Sequence, residues 1–281
     1  MKKPLIIVSL LLSLFAVSCG NDAKDPALDL LAKAQEECEA GNYNNARILI
    51  DSLSITYPES YKVRREAEIL RRQVMIKEKE RDAQYYDSEV TRLSAIRDSL
   101  ATGFTFNKNP RYQDTGYYTH PSQSLSVNAT NTFLRASVNE DGTAFVASFY
   151  RGRKIDHTTL KVSVGANYVV CEKPYSSRSY REYGVYSERC DYKYGEDCGI
   201  IDFVMLSSGP FVVELSGTGG TFSYTLRESD VEAIRSVSQF ALLLREIERM
   251  REFRDDAAVS LQILQEHQKI SEGAAVDNTQ E

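Results

Sequence analysis

The sequence predicts an α+β protein in which two long charged helices bracket a strand-rich domain. Three observations carry that expectation. Apolar residues recur at steps of three and four over 59–100 and again over 228–270, the spacing of helices buried along one side. Between them, over 101–227, alternation of period two appears, and tyrosine, threonine, serine and glycine rise, as in short antiparallel strands. Strands and helices do not alternate there as they do in a parallel α/β sheet.

In chain order, residues 1–19 come first and read as a processing segment. Lys2 and Lys3 make a positive start, 5–17 is an apolar run too short for a stable spanning helix, and Ala16-Val17-Ser18-Cys19 closes it with small residues before a cysteine. This resembles a bacterial lipoprotein signal of the Gram-negative outer-membrane type, with Ala16 where leucine is commonest. The resemblance implies cleavage before Cys19, acylation of that cysteine and attachment to the membrane through lipid. Gly20 in the next position, where aspartate would favour retention, implies the outer membrane, facing the periplasm or the exterior.

Residues 20–58 follow as a short polar leash and two helices. Pro26 suits a first helical turn, Leu28, Leu31, Ala34 and Cys38 share one face, and Gly41-Asn42 ends the helix. Ala46, Ile50 and Leu53 line the second helix, which Pro58 stops. The pattern Ala34, Gly41, Tyr43, Ala46, Ile50, Leu53, Tyr57-Pro58 resembles a tetratricopeptide repeat, which implies a helical hairpin. One repeat is too few to stand alone, so the hairpin is expected to cap the start of the first long helix.

That helix, 59–100, carries Val63, Ala67, Leu70 and Val74, then Ala83, Tyr86, Val90, Leu93, Ile96 and Leu100. Its counterpart, 228–270, carries Val237, Phe240, Leu244, Ile247, Met250, Ala257, Leu261 and Leu264 without interior proline or glycine. Paired from a shared tip, they predict an antiparallel coiled-coil stalk about 60 Å long. Leu100 then lies near Glu228, Tyr86 near Leu242, Leu70 near Ala258 and Val63 near Leu264. Neither is apolar all round, so neither is expected to cross a membrane. The polar tail 271–281 is expected to be disordered.

The inserted segment 101–227 reads as an antiparallel β-sandwich or barrel. Strands are expected at 132–139, 143–150, 160–164, 168–171, 185–189, 200–206, 211–215 and 221–226. Asp141-Gly142 marks a hairpin between the first two, since both residues tolerate positive φ.

Composition limits the chemistry. Charged residues make up 26% of the chain and the net charge of -6 is spread thinly, so no basic nucleic-acid footprint is present. His120, His157 and His267 are scattered. Asp156-His157 with Cys171 has no diagnostic nucleophile–base spacing, and His157 is expected in a loop. The cysteines lack the close pairs of a zinc site, and no cofactor is implied. An exported chain permits disulfides; Cys190 and Cys198, closing a short loop, are the favoured pair, with Cys171 as the rival partner. The densest surface candidate is Tyr175, Arg178, Tyr180, Arg181, Tyr183, Tyr186, Tyr192 and Tyr194, flat apolar area with polar edges, the composition of interface anchors and of sugar platforms. The expectation is a non-enzymatic envelope lipoprotein that presents its β domain to a protein partner or scaffold, with glycan binding for polysaccharide capture as the alternative.

Overall fold

The computed structural model of the chain describes residues 25–126 and 128–277; the segment 1–19, with Cys19, lies outside the described residues. Helices and two antiparallel sheets make the protein α+β. It divides into two compact units, one built from residues up to 78 and from 267 onward, the other spanning Lys79–Glu266.

In the first unit, α1 (Pro26–Glu39) begins with proline in its first turn, and the Asp25 carboxylate accepts the Ala27 N–H at 3.0 Å, which satisfies one of the donors a helix start leaves open. Gly41, at φ +79°, turns the chain into α2 (Tyr43–Thr56). The third helix, α3 (Tyr61–Ala101), supplies Val63, Ala67, Leu70 and Val74 to one cluster with Leu31, Ala34, Ala46, Ile50 and Leu53. Ala34 and Ala46 are fully buried. Val63 and Leu70, expected opposite Leu264 and Ala258, thus bury their stripe on α1 and α2.

The second unit holds the sheets. Strands β1 (Thr105–Asn107), β2 (Tyr117–Thr119), β3 (Phe133–Asn139), β4 (Ala144–Gly152), β5 (His157–Val164), β6 (Asn167–Cys171), β7 (Ser176–Glu182) and β8 (Val185–Lys193) precede α4 (Ile200–Leu206). Strands β9 (Val212–Gly217) and β10 (Gly220–Thr225) then lead into α5 (Glu228–Asp277). One sheet has the order β1-β2-β3-β4-β8-β7 and the other β10-β9-β5-β6. Alternate residues of each feed one core: Leu134, Val138, Val146 and Tyr192 from the larger, Leu160, Val162, Val213 and Leu215 from the smaller. Helices complete it with Ile200, Ile201 and Val204 of α4 and Val231, Ile234, Val237, Phe240, Ala241 and Leu244 of α5.

Three local expectations change. Residues 200–206, rich in β-branched side chains and expected as a strand, form α4, because the Asp197 carboxylate accepts the N–H groups of Gly199 and Ile201 at the helix start. Residues 175–183, given no strand by pattern, contain β7. At the C-terminus, α5 continues through Asp277, past the boundary at 270.

The pairing of the long helices also shifts. Tyr86 meets Phe253 at 5.4 Å between ring centroids, not Leu242, and Val90 and Leu93 cluster with Ile247 and Met250. The displacement is about three turns of α5. Its cause is the domain core: the first turns of α5 lie in it, and Phe104, just past α3, stacks on Phe240 at 4.7 Å. The stripe of α3 from Tyr86 to Leu93 is accordingly met by Ile247, Met250 and Phe253.

This register is testable. Full-length protein carrying Tyr86→Cys with Phe253→Cys is expected to cross-link with a short bis-maleimide, mapped by mass spectrometry, while Tyr86→Cys with Leu242→Cys is not. Ile247→Ala is expected to cost about 3 kcal/mol in urea unfolding, since Ile247 is 1% exposed in the helix contact.

Candidate functional site

Residues on the face of the six-stranded sheet turned away from the core define the first site. Register aligns Phe133 with Phe149, Phe149 with Arg189 and Arg189 with Arg178, one row across β3, β4, β8 and β7. A second row sets Arg151 opposite Ser187 and Ser187 opposite Tyr180. These rows floor a groove of about 540 Å³, which Leu125, Asn128, Ala129, Asn131 and Glu182 also line.

Its floor is rigid and its charge is partly uncommitted. The Phe133 and Phe149 rings stack at 4.9 Å, the Arg189 guanidinium lies 5.1 Å over Phe149, and the same guanidinium donates to Asp191 at 2.6 Å. Arg151 donates to the Ala129 carbonyl at 3.4 Å. Neither Arg151 nor Arg178 has a carboxylate at ion-pair distance among the described residues. A guanidinium so placed is suited to a carboxylate or another planar anion.

The tyrosine and arginine candidates do not form one surface. Arg178 and Tyr180 line the groove. Tyr175 lies on the same sheet face, edge-on to Phe145 at 5.7 Å with the Lys193 ammonium 5.6 Å above its ring. Tyr183 tops the β7–β8 hairpin at 95% exposure, with φ +48° beside Gly184 at +82°, the paired positive angles of a two-residue turn. Arg181 and Tyr186 face each other on the opposite side of the hairpin, 5.6 Å apart. Tyr192 is fully buried, its hydroxyl donating to the Thr158 carbonyl at 3.0 Å. Tyr194 packs under Arg245, 4.5 Å away. Tyr192 therefore belongs to the core and not to a ligand surface. The strand period separates these residues, because neighbours in a strand face opposite ways.

A second constellation, which sequence reading missed, lies between the sheets. Ser148 Oγ is 2.8 Å from His157 Nε2, and His157 Nδ1 is 2.8 Å from Glu188 Oε2. Ser148 and Glu188 belong to the larger sheet and His157 to the smaller. Glu188 also accepts the backbone N–H groups of Ile155, Asp156 and His157 at 2.8, 2.9 and 2.9 Å. Burial by itself would raise this carboxyl, but those bonds from His157, Asp156 and Ile155 hold it below its ordinary value. An ionised carboxylate only accepts, so Nδ1 carries the proton between them.

The order serine, imidazole, carboxylate matches a nucleophilic relay, yet Ser148 has no exposed surface. As it stands the relay ties one sheet to the other. His157, expected in a loop, is 2% exposed at the start of β5. Two polar residues, Ser148 and Glu188, on the inward parity of otherwise apolar strands were the available signal.

The cysteines also fall differently from the expected pair. Cys190 points into the core, its thiol 2.9 Å from the His157 carbonyl and pushed up to about 12 by burial. Cys171 is buried beside Cys198, and all four described cysteines are free. Among the described residues no group of three or more His, Cys, Asp or Glu is placed to hold a metal ion, and no helix is long and apolar enough to cross a membrane.

The buried carboxylate has a pH consequence. Glu188 is depressed in the folded state, so its stabilisation is complete above the ordinary carboxylate range and is lost as pH falls through the folded value. Glu188→Gln is expected to lower stability by about 3 kcal/mol at pH 7 and to flatten the decline that sets in below about pH 5, read from urea midpoints at each pH. Comparison of the chain with protein-family models, with curated proteins and with solved structures yields no match.

Proposed function

We propose that this chain is a lipid-anchored envelope protein that binds a protein partner through the arginine groove of its six-stranded sheet, with α3 and α5 acting as an antiparallel spacer between anchor and β domain. The observation that carries the reading is the coincidence of that groove with a free sheet edge. Strand β7 ends the sheet, and its residues are exposed from Ser177 to Glu182. Its open N–H and C=O groups are available to an extended segment of a partner, whose side chains would enter pockets beside it. Arg178 and Tyr180 project from this strand into the groove, and arginine with tyrosine is the usual composition of an interface anchor.

Support for the anchor comes from the sequence: Lys2 and Lys3, the apolar run and Ala16-Val17-Ser18-Cys19. Lipid on Cys19 would hold the protein at the outer membrane, since several acyl chains anchor where one does not. The contact of Tyr86, Val90 and Leu93 with Phe253, Ile247 and Met250 supports helix pairing over at least that stretch. The tetratricopeptide-like character of α1 and α2 rests on the pattern from Ala34 to Pro58, with their small residues at the buried contact.

A glycan is the second reading. It is favoured by the groove's size, which suits a small saccharide, and by Asn128 and Asn131 on its wall. The absence of tryptophan counts against it.

Three measurements test the proposal. Cys19→Ser is expected to move the protein out of the membrane fraction, and unchanged retention would remove the anchor. Cross-linking in intact cells, followed by recovery of the full chain, is expected to yield a protein whose capture falls at least tenfold for Arg178→Ala with Tyr180→Ala. Equal capture by that variant would remove the groove from the partner site. A glycan array bound by the wild type and not by the variant would transfer the site to the second reading.

A further inference from the structure

A pair of thiols outside the groove has no role in the function proposed above. Cys171 closes β6 and is fully buried, while Cys198 lies in the turn between β8 and α4 and is exposed. The Cys171 thiol lies 3.6 Å from the carbonyl of Glu196, two residues before Cys198, and the Cys198 thiol is near enough to add to the upward shift that burial gives Cys171. The turn that brings the two together is tightly specified. Asp197 is 1% exposed and accepts the N–H groups of Gly195, Gly199 and Ile201, while Cys198 itself is held at φ +55°. A left-handed backbone at a residue other than glycine or asparagine persists only where its surroundings fix it.

We infer that Cys171 and Cys198 are a redox pair that forms an intramolecular disulfide by exchange with a small-molecule or protein disulfide. The exposed sulfur is where exchange begins. The Cys198 thiolate attacks one sulfur of the incoming disulfide, forms a mixed disulfide and releases the other half as a thiolate. Cys171, on passing its proton to that released thiolate, attacks the Cys198 sulfur and expels the second half as a thiolate, which takes up a proton from solvent. In sum one external disulfide is reduced to two thiols and the two cysteine thiols are oxidised to one disulfide; the proton released by Cys198 at the start balances the one taken up at the end.

Burial pushes the Cys171 thiol up to about 11, so it waits as a thiol until the mixed disulfide stands beside it. The link would join the end of β6 to the start of α4 and close a loop around the whole β7–β8 hairpin, which carries Arg178 and Tyr180. Closing that loop would restrict the unfolded chain. Cys190 is an internal control. It is also buried, with its thiol 2.9 Å from the His157 carbonyl in the seam between the sheets.

The test uses full-length protein, purified reduced and equilibrated in oxidised and reduced glutathione, then acid-quenched, alkylated and mapped by mass spectrometry. A peptide linking Cys171 to Cys198, with Cys190 alkylated only after unfolding, is the expected result. Cys198→Ser is expected to abolish the link and to leave Cys171 without a glutathione adduct; Cys171→Ser is expected to trap glutathione on Cys198. Free Cys171 and Cys198 in fully oxidised buffer, a stable glutathione adduct on wild-type Cys198, or a link from Cys190 to Cys198 would each overturn the inference. These outcomes are independent of membrane attachment and of any partner in the groove.

Discussion

The two sheets of the β domain are tied together at a buried carboxylate. Glu188 is 3% exposed and accepts three consecutive backbone N–H groups together with the His157 ring. An isolated buried charge would be costly; one whose lone pairs are filled by fixed donors is held in place by them. Because the donors belong to the entry of β5 and the acceptor to β8, the interaction fixes one sheet against the other at that point. Close packing follows from it. Gly217 of β9 passes so near that a Cβ would overlap the Asp156 carbonyl, and Asp156 is itself held at φ +50°. Cys190 and Ser148 then complete the polar seam, and the apolar core of both sheets spreads from it.

That seam also positions the opposite face. Glu188 points inward from β8, so Ser187 and Arg189 on either side point outward. Arg189 is then set by its pair with Asp191 and its place over Phe149, and Arg178 and Tyr180 are carried into line by the register of β7 on β8. The floor of the groove is built from strands, whose spacing is fixed by backbone hydrogen bonds. The groove's chemistry is mixed: a stacked aromatic floor, the Arg189 guanidinium committed to Asp191, and the Arg151 and Arg178 guanidinium groups with no carboxylate at ion-pair distance among the described residues.

Helix α5 links this domain core to α3. Its first turns serve as a third layer under the sheets, and its next turns receive Tyr86, Val90 and Leu93. One unbroken apolar stripe thus does two jobs in succession, and the point of change is Phe240, which stacks on Phe104 and meets Tyr118 edge-on.

Elements whose signal is local were legible in the order of residues alone. The helices around Ala34, Ala46 and Val90, the Asp141-Gly142 hairpin and most of the strands follow from period, turn chemistry and caps that involve residues a few positions apart. Arg178 and Tyr180 stood out by composition alone. Features that depend on pairing across long separations were not legible there: α4 in place of a strand, the offset of α5 on α3, the meeting of Ser148, His157 and Glu188, and the neighbour of Cys198. In each case the local pattern allows several partners of similar energy, and the choice is made by which of them the shared core leaves buried and hydrogen-bonded.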